Sequence, residues 1–180
     1  KFAHVPLIMD EEGGRMSKRS GAMAVSDYRK NGFLPEALVN YLMLLGWSPG
    51  DNQEIVSLQA AVKKFSIKKV NKSAAAFSMS KLKWLNAEYL KKMPAEDLAD
   101  FVAPFLKDRG WISGDYDRNR ILNIVELYQN RMSDIEEFLQ RTAYLFQDDF
   151  EVPQDLRERL LSQRQTCCFP DLEKALEKAD

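Results

Sequence analysis

The chain has 180 residues, 45% of them apolar, and a formal net charge of −1 at pH 7. That is enough to bury one large core or two small ones, and no apolar run approaches the ~20 residues that span a bilayer. The two cysteines are the adjacent pair Cys167 and Cys168, and the one histidine is His4. This fits neither a disulfide framework nor a zinc site, so no metal site is expected and a reducing cytoplasm, or an organelle matrix, is the expected setting.

Residues 5–9 read as a strand that delivers the chain into a basic turn, Arg15-Met16-Ser17-Lys18-Arg19, framed by Gly13-Gly14 and Gly21. Cations beside a small hydroxyl on a glycine-framed loop suit a polyphosphate, because Lys and Arg neutralise its charge while hydroxyls and backbone N–H groups complete its hydrogen bonds. A helix is expected from Ala24 to Gly32, a residue suited to the left-handed turn after a helix. Pro35 opens the next helix, which ends at Gly46. In it Leu38, Leu42 and Leu45 fall at i, i+4 and i+7 and mark one buried face. A turn follows at Ser48-Pro-Gly-Asp51, then an amphipathic helix over residues 57–64. Ser80 is expected to cap a short helix through Trp84 and Leu85, with Asn86 beginning its exit. Trp47, Trp84, Tyr28 and Tyr41 read as packing residues, the tyrosines with satisfied hydroxyls.

From Pro94 onward the texture is helical. Glu96 and Asp97 lie in a first turn, where the positive end of the helix dipole favours them. Leu98, Phe101, Val102 and Phe105 make an apolar face that Pro104 interrupts and Gly110 closes. Residues 118–130 repeat the pattern with Ile121, Leu122, Val125 and Tyr128. Ser133 with Glu136 has capping-box spacing for a helix carrying Ile135, Phe138, Leu139 and Thr142. A further helix over about 153–162 and a last one from Pro170 are expected.

The small net charge conceals a polarity. Residues 1–92 hold 15 Lys and Arg against 8 Asp and Glu, and residues 93–180 hold 11 against 19. Lys63, Lys64, Lys68, Lys69, Lys72, Lys81, Lys83, Lys91 and Lys92 follow one another with only Glu88 among them. Such a stretch is either a solvated face or a contact for a phosphate backbone, whose binding releases condensed counterions.

The run from His4-Val-Pro-Leu-Ile through Arg15-Met16-Ser17-Lys18-Arg19 resembles the KMSKS loop of class I aminoacyl-tRNA synthetases, in the form found in bacterial-type glutamyl enzymes. Val25-Ser-Asp-Tyr28 and Gly32-Phe-Leu-Pro-Glu-Ala-Leu-Val-Asn-Tyr-Leu-Met-Leu-Leu-Gly-Trp47 resemble the segment that follows in that family, in the same order. Phe65-Ser-Ile, Ser73-Ala-Ala-Ala-Phe77 and Lys81-Leu-Lys-Trp-Leu-Asn86 also look like it. Arg15 departs from the family's first lysine, exchanging a point charge for a planar fork.

The resemblance implies a mainly α fold. A helical stem-contact domain with a minor β element is expected over 1–92, a first helical-bundle anticodon-binding domain over 93–150, and the start of a second over 151–180. It implies ligation of L-glutamate to tRNA-Glu through an ATP-derived adenylate, with ATP and Mg2+ as substrates of the whole enzyme and none bound to this chain. Lys18 and Ser17 are the expected catalytic residues, within an ATP-binding set of Arg15, Met16, Ser17, Lys18 and Arg19. Lys63, Lys64, Lys68, Lys69, Lys72, Lys81 and Lys83 are expected to meet tRNA. The run Tyr128-Gln-Asn-Arg-Met-Ser-Asp-Ile-Glu-Glu137 resembles a helix junction of the anticodon-binding part, which makes Arg131 the expected base reader, with Arg118, Arg120 and Arg141 behind it. His4 has no chemical role there. A form that also charges tRNA-Gln, or a stand-alone tRNA-binding module, is the alternative. The chain carries no HIGH-type histidine motif and begins inside a motif, so it is expected to be a C-terminal piece, inactive alone. A monomer, away from membranes, is expected, its basic loop loosely held without an ATP-binding partner.

Overall fold

The computed structural model describes residues 6–17, 23–50 and 53–147. Residues 1–146 form one compact unit and residues 147–180 a second. Within the described residues the fold is mainly helical, as expected. The strand expected over 5–9 is only β1, Ile8–Met9, which pairs in parallel with β2, Ala75–Ala76. His4 and the helices expected after residue 150 lie outside the described residues.

Helix α1, Val25–Lys30, ends as its glycine suggests. Gly32 has φ +74°, its N–H donates to the Arg29 carbonyl, and Phe33 N–H donates to the Tyr28 carbonyl. This is the Schellman arrangement, completed by an edge-to-face contact between Tyr28 and Phe33 at 5.7 Å.

Helix α2, Pro35–Gly46, has the bounds its sequence announces, but its buried face differs. Leu38, Tyr41 and Leu45 are buried while Leu42 is 44% exposed. The stripe that meets the rest of the fold runs through Ala37, Leu38, Tyr41 and Leu45, and Leu42 falls on its flank. Buried Asn40 ties three partners together: its amide donates to the Glu54 carbonyl, and its oxygen accepts from Val56 N–H and the Tyr89 hydroxyl. Helix α3, Leu58–Lys64, is capped by Ser57, whose hydroxyl accepts from Ala60 N–H.

Helix α4, Met79–Leu90, is longer than the sequence suggests. Ser78, not Ser80, is its cap, accepting from Lys81 N–H at 3.4 Å. Asn86 does not end it. The side chain lies fully buried in mid-helix, where its oxygen accepts from Leu34 N–H (2.9 Å) and its amide donates to the Ser133 carbonyl (2.8 Å). Because these partners lie on other elements, the amide has no reason to compete with the backbone of α4.

Helices α5, Ala95–Asp108, α6, Arg118–Tyr128, and α7, Ile135–Thr142, pack around an apolar cluster of Leu98, Val102, Leu106, Ile121, Val125 and Phe138. Pro104 is accommodated inside α5, which continues to Asp108. The cap of α7 is Asp134, which accepts from Glu137 N–H, while Ser133 N–H and hydroxyl both donate to the Glu137 carboxylate. The box expected at Ser133 and Glu136 is therefore shifted by one residue, and Glu136 instead pairs with Arg109. A second cluster, containing Tyr28, Phe33, Leu38, Tyr41, Leu45, Phe77, Leu82 and Leu85, joins α1, α2 and α4. Helix α2 serves both clusters, with Ala37 and the N-cap residue Leu34 in the first and Leu38 in the second.

Candidate functional site

The basic turn grows out of a small hairpin. β1 is flanked on one side by β2 and on the other by the returning chain, where Arg15 bridges Met9 and Met16 N–H donates to the Ile8 carbonyl. Asp10 closes the reversal: its N–H donates to the Gly14 carbonyl, and its carboxylate accepts from Gly14 N–H at 2.6 Å. Gly13 has φ +84°, a conformation that side chains disfavour. Two further contacts anchor the hairpin. Met16 packs against the Tyr28–Phe77 cluster, and the Glu11 carboxylate accepts from Met79 N–H at the start of α4, where the helix dipole favours an anion. Residues 10–16 are thus a braced hairpin; the loosely held loop expected runs on past Ser17, outside the described residues. Arg15 and Ser17 are exposed at its end. Lys18 and Arg19 lie outside the described residues.

The lysines expected to meet phosphate divide into two groups. Lys63, Lys68, Lys69 and Lys72 are exposed around α3 and the 3-10 turn Ile67–Lys69, and Lys64 donates to the Gln53 amide oxygen. Lys81 is paired with Glu54 and Lys83 with the buried Asp134, each at 2.8 Å. Neighbours in sequence supply only Glu88 as an opposing acid; the fold brings Glu54 and Asp134 from elsewhere. Trp47 is buried as expected, but Trp84 is 42% exposed, one helical turn from Lys81. Sequence reasoning missed Trp84 as a surface aromatic because Leu82 and Leu85 beside it are core residues and hide the direction of its side chain.

Arg131 closes the 3-10 turn Gln129–Arg131 between α6 and α7 and is exposed. Among the described residues it pairs with no carboxylate. The three arginines expected behind it, Arg118, Arg120 and Arg141, are engaged. Arg118 forks onto Asp100, through Nε and Nη2 at 3.0 Å each, and holds its carboxyl below the usual range. Arg120 donates to the Leu145 carbonyl and lies 5.6 Å from the Phe146 ring centroid. Arg141 grips Glu137. Near Arg131, the Tyr128 and Tyr144 hydroxyls share a hydrogen bond at 2.7 Å, which pushes the Tyr128 phenol above its ordinary range. Buried Tyr41 has its hydroxyl satisfied by Ser78 N–H.

No helix among the described residues is long and apolar enough to cross a membrane. No group of three His, Cys, Asp or Glu side chains among them could hold a metal ion.

Residues 1–84 match the family model for the catalytic domain of class I tRNA synthetases (E and Q). The chain is 36% identical over all 180 residues to the glutamate–tRNA ligase of Finegoldia magna, covering 37% of it. It is 42% identical over 169 residues to that of a Picosynechococcus species, covering 92% of this chain and 34% of the relative. Among solved structures it matches a glutamate tRNA ligase from Elizabethkingia meningosepticum, crystallised with its amino acid, with TM-score 0.80 and 29% identity over 98% of this chain and 38% of that one. The chain spans a little over a third of the length of the Finegoldia relative, 37%. From end to end, the chain is similar to a segment of about a third of the length of these glutamate–tRNA ligases.

Proposed function

We propose that the chain is the part of a glutamate–tRNA ligase that carries the KMSKS loop and holds tRNA, in an enzyme that joins L-glutamate to tRNA-Glu by way of a glutamyl-adenylate. The observation that carries this reading is the match along the whole chain to ligases of that name, at 36% identity for the Finegoldia relative, together with the intact Ser17-Lys18-Arg19 sequence. Lys18 supplies a prepositioned cation for the negative charge that develops when the glutamate carboxylate attacks the α-phosphate of ATP, and Ser17 donates to the same phosphates. Arg15 and Arg19 add charge to either side, and the Met16 side chain roots the loop in the core. Mg2+ travels with ATP. The described residues supply no ligand set for it, so no step is assigned to it.

In the same reading residues 1–92 form the loop and stem-contact part. Residues 93–150 form a first anticodon-binding helical domain, and residues 151–180 begin a second. Lys63, Lys64, Lys68, Lys69 and Lys72 meet tRNA phosphates, with Lys81 and Lys83 reaching it only by sharing or leaving their carboxylates. Arg131 meets the anticodon loop, because a guanidinium can read a base edge or stack on an unpaired base. The enzyme acts as a monomer in the cytoplasm.

The test is binding of the chain to unmodified tRNA-Glu, tRNA-Gln and an unrelated tRNA across a salt series. We expect tRNA-Glu to bind best, with affinity falling by roughly tenfold or more between about 50 and 200 mM salt, as phosphate contacts release counterions. Equal affinity for all three would overturn the specificity, and absence of binding at low salt would overturn the tRNA-holding role.

A further inference from the structure

Arg131 has no carboxylate among the described residues to orient it, so its position is set by the turn on which it stands. Guanidinium recognition of a base is directional, which makes the placement of that turn part of the recognition. The turn is held from both sides by one helix. Two residues before Arg131, the Gln129 amide donates to the Leu90 carbonyl at 2.8 Å and to the Met93 carbonyl at 2.7 Å. These carbonyls belong to the end of α4 and the bend beyond it, and the Leu90 carbonyl also accepts Met93 N–H at 3.2 Å. An amide has two hydrogens to give, and both are used. Two residues after Arg131, the Ser133 carbonyl accepts from Asn86, and the next residue, Asp134, pairs with Lys83. Lys83, Asn86 and Leu90 stand at i, i+3 and i+7, so they lie on one face of α4. The opposite end of the Asn86 amide accepts Leu34 N–H at the start of α2.

We infer that Gln129 is a positioning residue for Arg131: with Asn86 and Lys83 it hangs the Arg131 turn on α4, and so sets where the guanidinium meets RNA. The inference rests on the reading of Arg131 as a nucleic-acid contact. A role confined to capping α4 would change stability and leave recognition by Arg131 intact.

The experiment is a double-mutant cycle on the 180-residue chain, read as affinity for a tRNA-Glu transcript at fixed ionic strength, with circular dichroism to establish folding. Gln129→Met and Arg131→Ala are each expected to weaken binding roughly tenfold, the scale of one lost directional base contact. The double variant is expected to bind no more weakly than Arg131→Ala, because a positioning residue has nothing left to position. Wild-type affinity in Gln129→Met beside a weakened Arg131→Ala would overturn the inference, and so would losses that multiply in the double variant. Wild-type affinity in Arg131→Ala would overturn the reading of Arg131 itself and the inference with it. Gln129→Lys covers a failure of the methionine variant to fold, since its ammonium donates to the same carbonyls at a helix end that favours a cation. Affinity within about twofold of wild type, lost on adding Arg131→Ala, supports positioning. A roughly tenfold weaker but folded Gln129→Lys chain overturns it.

Discussion

At Gly32 two separate constraints meet. The φ of +74° suits glycine, and a Cβ built there would lie 2.1 Å from Cγ1 of Ile135 in α7. Gly32→Ala is therefore expected to destabilise the chain by about 2–4 kcal/mol, through backbone strain and an overlap that either α7 or the α1–α2 turn must relieve. A fall in the urea midpoint at unchanged slope would report it, and an unchanged midpoint would refute the close approach. The first constraint is legible in sequence, because a glycine after a polar helix end announces a left-handed residue. The second is not, because nothing local to Gly32 indicates that Ile135 arrives against it. Trp84 teaches the same lesson in reverse. Its apolar character reads as core, yet the helix turns it outward beside Lys81.

Helix ends carry the next set of expectations. Ser78 and Ser80 are both plausible caps on composition, and their hydroxyls lie 2.8 Å apart, but Ser78 alone accepts from the Lys81 N–H. Ser78→Ala should cost about 1 kcal/mol and Ser80→Ala only a few tenths, a difference that thermal melts of the two variants would resolve. Helix α7 adds a pH dependence. The Glu137 carboxyl is held below its ordinary range first by the Ser133 hydroxyl, against some desolvation, and then by Arg141. A carboxyl that resists protonation more in the folded than in the unfolded chain stabilises fully at neutral pH, and that contribution is lost as pH falls through its folded-state titration. The melting temperature should fall from about pH 7 to about pH 3, and Glu137→Gln should flatten part of that fall. A variant with the same acid limb as wild type would rule out Glu137 as a source. The sequence pattern located this helix and its four buried residues Ile135, Phe138, Leu139 and Thr142. The cap was misplaced by one residue because Ser133 and Asp134 are both good cap residues, and only the path of the chain decides between them.

On the scale of the whole molecule, two helices connect what charge divides. Residues 1–92 are basic and residues 93–180 acidic, yet α2 and α4 each contribute to both main apolar clusters, and Tyr89 packs against both. This joins the basic hairpin and the Arg131 turn to one continuous packed body, in which Lys83–Asp134 and Asn86–Ser133 cross between basic and acidic parts. By itself the sequence determined the helical character, most helix bounds, the left-handed turn at Gly32 and the motif that points to phosphate chemistry. These follow from local periodicity, backbone preference and residues close together in the chain. Tertiary structure alone decided which lysines are paired, that Asn86 lies inside a helix, that Leu42 and Trp84 face outward, and that Gln129 and Asn86 bracket Arg131. Each of these depends on a partner distant in sequence, and the identity of such a partner is set by how whole elements pack.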